Sequence, residues 1–78
     1  MVLSELSTKD VVNNEDGIKL GRIVDVEIDI ATGKVLNVTI DRGFRIASIF
    51  SSKNQTIIPW SRIIKIGNDV IIVDQTRL

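Results

Sequence analysis

The sequence predicts an all-β domain, a small six-stranded barrel, on three observations. Isoleucine and valine number fourteen and nine against two alanines; β-branched side chains are stiff at χ1 and suit a pleated surface better than a helix. From Val24 to Ile30 apolar residues alternate with Asp25, Glu27 and Asp29, the period of two that gives a strand one dry face and one wet face. Turn chemistry recurs between short apolar runs, at Asp16-Gly17, Gly33-Lys34, Pro59 and Gly67-Asn68-Asp69, the spacing of a small barrel or roll.

In chain order, Leu3 to Leu6 suits one helical turn that tucks its leucines against the domain. A brief strand, Asp10–Asn13, ends at Asn14-Glu15-Asp16-Gly17, where Gly accepts positive φ without steric cost. Lys19–Ile30 is the clearest strand, with a bulge or bend expected at Gly21. Ala31-Thr32-Gly33-Lys34 reverses the chain into Val35–Asp41, which places Leu36, Val38 and Ile40 on one side of a β-hairpin. The pattern breaks from Arg42 to Asn54, and a strand Gln55–Ile58 stops at Pro59, which has no N–H for a ladder. Pro59-Trp60-Ser61-Arg62 predicts a 3₁₀-like turn, and a last hairpin pairs Ile63–Ile66 with Val70–Asp74, leaving Gln75–Leu78 as a frayed tail. Residues 1–78 read as a single domain, ordered from about 3 to 74.

Seventy-eight residues sit near the lower end of what folds unaided. Without cysteine, no disulfide or thiolate metal site reinforces the chain, and packing must supply roughly 4–12 kcal/mol. Ten basic and ten acidic residues cancel, whereas a phosphate binder needs clustered Lys and Arg; a nucleic-acid partner is disfavoured. Met1 to Glu5 shows neither the basic nor the apolar region of a signal peptide. The apolar runs are far shorter than a membrane span. The expectation is a cytoplasmic protein without membrane insertion.

Several local patterns, in this order, resemble the PRC-barrel family. Asp16-Gly17, Leu20-Gly21, Ile23 and Asp25-Val26 are similar to its opening hairpin, and Ile57-Ile58-Pro59-Trp60, Ile63, Ile66-Gly67 and Asp69-Val70-Ile71 to its closing half. Leu3-Ser4-Glu5-Leu6 and Arg42-Gly43-Phe44 resemble most the small stand-alone members associated with sporulation in Firmicutes. Members often carry a glycine where this chain has Ser7-Thr8. The resemblance implies a scaffold that docks rather than reacts. Related barrels form the cytoplasmic domain of the photosynthetic reaction-centre H subunit and the C-terminal domain of a ribosome-maturation factor, so an RNA- or ribosome-maturation-associated module is the alternative.

The chain has no His, Cys or Tyr, which removes the usual general base, the thiol nucleophile and the commonest transition-metal ligand. No catalytic motif is recognisable among the remaining carboxylates, Lys, Ser and Thr, so neither an enzyme nor a cofactor is expected. Asp25, Glu27 and Asp29 recur on one strand face about 6.6–6.8 Å apart. Two of them sharing a hard cation would make a metal-responsive module, but a solvated outer face is the plainer reading. Trp60 either plugs the barrel end or offers a contact platform. Phe44, Ile46, Ile49 and Phe50 need burial, as a lid on the core or as a protein contact rimmed by Arg42, Arg45 and Lys53. The last hairpin has apolar residues at adjacent positions, Ile63-Ile64 and Ile71-Ile72, which implies burial on both faces. Ile63, Ile71 and Val73, with the Phe44–Phe50 loop, are therefore expected to form a two-fold homodimer interface.

Overall fold

The structure, a computed structural model, describes residues 1–41 and 55–74. A four-residue helical turn, α1 (Leu3–Leu6), leads to strands β1 (Asp10–Asn13), β2 (Lys19–Ile28), β3 (Val35–Asp41) and β4 (Gln55–Pro59). A 3₁₀ turn, Trp60–Arg62, then carries the chain into β5 (Ile63–Ile66) and β6 (Val70–Val73). The strands form one sheet in the order β4-β3-β2-β1-β6-β5. Its pairs are antiparallel except β1 and β6, which run parallel with Val11 beside Ile71.

The all-β class and the six strands are as the sequence predicts. Among the described residues the barrel is not closed by a ladder between β4 and β5, which are the two ends of the strand order. These edges are instead linked through the 3₁₀ turn that follows Pro59, a residue unable to donate to a further ladder. All the same, one core forms. Val11, Ile23, Val38, Ile40, Ile58, Ile71 and Val73 are buried together with Leu6 of α1, and Ile63 and Ile66 of β5 pack against them. Every strand thus contributes to the same interior.

Local chemistry fixes the corners. In α1 the Val2 N–H donates to Glu5 Oε1 (3.3 Å), and the Thr8 hydroxyl donates to the Glu5 carbonyl (2.7 Å), which satisfies groups that a short helix leaves orphaned. At the β1–β2 turn Gly17 has φ +71° and donates to the Asn13 carbonyl at 2.8 Å, while Asp16 Oδ1 accepts from the Ile18 N–H at 2.9 Å. Gly21 has φ +141° where the β1–β2 register slips between Val11 and Val12, so the expected bulge is present. Two buried polar residues are partnered. Lys9 Nζ donates to the Asn68 carbonyl, tying the start of β1 to the β5–β6 turn, and Asn13 Oδ1 accepts from the Glu15 N–H at 3.3 Å.

Strict alternation along β2 is where the sequence reading needs correcting. Val24, Val26, Ile28 and Ile30 were expected on the dry face, yet Ile23 is the deeply buried residue, and Val24, Ile28 and Ile30 are exposed. The register against β3 slips between Ile23 and Asp25 and again between Glu27 and Ile28. Each slip changes which residue faces inward. Leu36, expected beside Val38 and Ile40, falls at the second slip and is exposed, whereas Val38 and Ile40 are buried.

Candidate functional site

The site arises from a mismatch of strand lengths. β2 has ten residues and β1 four, and the β1 partners reach only Gly21 and Lys19 of β2. The rest of β2 pairs with β3 alone, up to Ile28 beside Val35, so this hairpin runs on past the sheet. Its turn is closed by the Gly33 N–H donating to the Asp29 carbonyl and the Asp29 N–H donating to the Lys34 carbonyl (2.6 and 2.8 Å), with Gly33 at φ +77°. Asp29 Oδ1 accepts from the Ala31 N–H at 3.0 Å.

Between this overhang and α1 lies an apolar groove of about 910 Å³. α1 and the residues before it supply Met1, Val2 and Leu3 to its wall, the hairpin supplies Val24, Val26, Ile28 and Val35, and Trp60 and Ile66 also line it. Its polar lining comes from Ser4, Ser7 and Asp25. Trp60 is half-buried against the core and also lines the groove.

The electrostatics of the described surface are those of local pairing. Asp10 Oδ1 lies 3.2 Å from both Arg22 Nε and Lys19 Nζ. The hydrogen bond from Arg22, then that from Lys19, holds the Asp10 carboxyl below its usual range. Asn37 Nδ2 donates to Glu27 Oε1 across β2–β3 at 2.7 Å. Among the described residues no three His, Cys, Asp or Glu side chains gather to hold a metal ion. Of the three carboxylates on β2 and its turn, Glu27 accepts from Asn37, Asp29 Oδ1 accepts from the Ala31 N–H within the turn, and Asp25 Oδ1 accepts from the Val26 N–H.

The other expected site residues divide in two. Arg42, Phe44, Arg45, Ile46, Ile49 and Phe50, with Lys53, lie outside the described residues, as does the 75–78 tail. Of the last hairpin, Ile71 and Val73 are fully buried within one chain and Ile63 is half-buried against the core. Ile71 and Val73 are therefore core residues and not an outward interface. Their strand lies between β1 and β5, and the inward-facing half of its apolar residues meets the same interior as the rest of the sheet. The groove itself was missed, because the alternation in β2 reads as a strand facing a core. The available signal was length: twelve residues of predicted strand beside a first strand of four leave apolar side chains uncovered.

The family model for the PRC-barrel domain matches residues 1–78. The chain belongs to the PRC-barrel family. This PRC-barrel chain is 41% identical over 71 residues to a Bacillus subtilis (strain 168) protein named "Probable sporulation protein YlmC", covering 91% of the chain and 88% of that relative. It is 34% identical over 76 residues to an uncharacterized protein of Clostridium acetobutylicum, covering 97% of the chain and 86% of that protein. Among the described residues no helix is long and apolar enough to cross a membrane.

Proposed function

We propose that this PRC-barrel domain is a non-catalytic protein-interaction module of the sporulation programme, and that it docks a protein partner in the groove beside the β2–β3 hairpin. The observation that carries the reading is the groove: Val24 and Ile28 are 55% and 52% exposed there, beside Leu3 and Trp60. Contiguous exposed apolar surface of this kind marks an interaction site. The missing His, Cys and Tyr and the pairing of Asp10 with two cations support docking over chemistry. The named role of the Bacillus subtilis relative supports sporulation as the setting. The balanced charge gives no support to an RNA partner.

The test is recovery of tagged protein from sporulating cells, for the native chain and for Val24→Glu. The expected result is a partner in fixed stoichiometry with the native chain, absent with Val24→Glu, whose circular-dichroism spectrum is unchanged. The same recovery with both chains would overturn the reading.

A further inference from the structure

The two edge strands of the sheet are not alike. β5 carries Lys65 and a register slip between Ile63 and Lys65; charges and bulges are devices by which an edge strand avoids pairing with another chain. β4 has neither. Its residues, Gln55, Thr56, Ile57, Ile58 and Pro59, bear no charge, and its register against β3 is unbroken. Ile57 is 62% exposed while its neighbour Ile58 is buried, so Ile57 stands on the face of the sheet away from the core.

Pro59 shows which backbone groups of β4 point outward. Opposite residues of an antiparallel pair alternate between exchanging both hydrogen bonds and exchanging none. Pro59 faces Asn37 and has no N–H, so this pair exchanges none. Counting back along the unbroken register, Ile57 opposite Thr39 and Gln55 opposite Asp41 are of the same kind. The N–H and C=O of Gln55 and Ile57, and the C=O of Pro59, therefore face away from β3. Among the described residues no backbone hydrogen bond outside the strand ladders reaches them. The complement of such a row is the backbone of another extended strand.

We infer that the strand completing this edge is β4 of a second copy of the chain, antiparallel across a two-fold axis at Ile57, so that the two sheets become one. The row is self-complementary in that register. The Ile57 N–H of each copy donates to the Ile57 carbonyl of the other, and the Gln55 N–H of each to the Pro59 carbonyl of the other, the acceptor that proline retains. Directly opposite residues share a face, so the two exposed Ile57 side chains cover one another, with about 5.5 Å between their Cα atoms. No charged side chain of either β4 opposes another. A two-fold contact is isologous, as this one is. One short strand buries less than the about 800 Å² per partner of a standard interface, so the association is reversible and needs high protein concentration. The inference is independent of the groove, which β4 does not line.

Sedimentation equilibrium and amide hydrogen exchange of the native chain, from low micromolar to millimolar concentration, test this together. The mass is expected to rise from 8.7 kDa toward twice that value, and the Ile57 and Gln55 amides to gain protection over the same range. Ile57→Lys, at an exposed position, should leave the circular-dichroism spectrum unchanged and weaken association at least tenfold, whereas Val24→Glu, in the groove, should not weaken it. A chain that keeps the monomer mass at millimolar concentration overturns the inference. So does a dimer that survives Ile57→Lys, or one in which the Ile57 amide exchanges freely. An Ile57 amide protected equally at every concentration also overturns it, because the edge would then be covered within one chain. None of these results touches the groove, which stands or falls on partner recovery with Val24→Glu.

Discussion

Replacing Ile71 by alanine measures the core where the structure and the sequence pattern disagree. Ile71 is fully buried in β6, opposite Val11 of β1 on one side and Ile66 of β5 on the other. Removing three carbons from a fully buried site forfeits about 2.4 kcal/mol of transfer free energy at ~0.8 kcal/mol per carbon. The cavity left behind raises the usual cost of such a change to about 2–5 kcal/mol. A domain of this length holds about 4–12 kcal/mol in all, so Ile71→Ala removes a large share of the stability. At about 4–8 °C per kcal/mol for a domain of this size, a loss of ~3 kcal/mol lowers the midpoint by roughly 12–24 °C. Urea unfolding followed by the fluorescence of the single Trp60 reads the loss directly. Ile64→Ala, on the neighbouring strand but 53% exposed, should cost less than about 1 kcal/mol. Equal losses for the two, or a cost below ~1 kcal/mol for Ile71→Ala, would refute the core assignment and return Ile71 to the surface.

Three further outcomes follow from local chemistry. Asp10 is held below its usual carboxylate range by Arg22 and Lys19, so its stabilising contribution is present above the unfolded pKa and lost as pH falls through the folded one. Asp10→Asn should be less stable than the native chain at neutral pH in low salt, the difference vanishing in strong acid and shrinking with added salt; a difference independent of pH would contradict this. Lys9→Met leaves the Asn68 carbonyl without its donor and should cost about 1–3 kcal/mol in chemical denaturation, whereas an unchanged midpoint would show that contact to be idle. Gly17→Ala forces a side chain into φ +71° with open space around the Cβ, so only backbone strain of about 1–2 kcal/mol is expected, and a loss above that range would indicate a packing role.

Much of the fold is legible in the sequence because its signals are local. Asp16-Gly17 and Gly33 place turns where only positive φ closes them, Pro59 stops β4, and the isoleucine and valine content demands strands. The interior is less legible, because which residues face it depends on register. The slip at Ile23/Asp25 is a property of the β2–β3 pair, and nothing in Val24 itself distinguishes it from Ile23. The last hairpin misleads for a related reason. Adjacent isoleucines look two-faced in isolation, yet β6 lies inside the sheet beside β1, a parallel pairing between the first and last strands that no local pattern announces. The groove belongs to the same class of feature, since it depends on β2 outrunning β1 and on α1 and Trp60 joining its lining.

The claim that this end of the molecule is the functional surface is tested most directly by isoleucine-methyl NMR of the native chain, titrated with the partner recovered from sporulating cells. The account predicts shifts at Ile28 beside the groove, with Ile57 and Ile64, exposed elsewhere, unmoved. Shifts confined to Ile57 or Ile64 would contradict it.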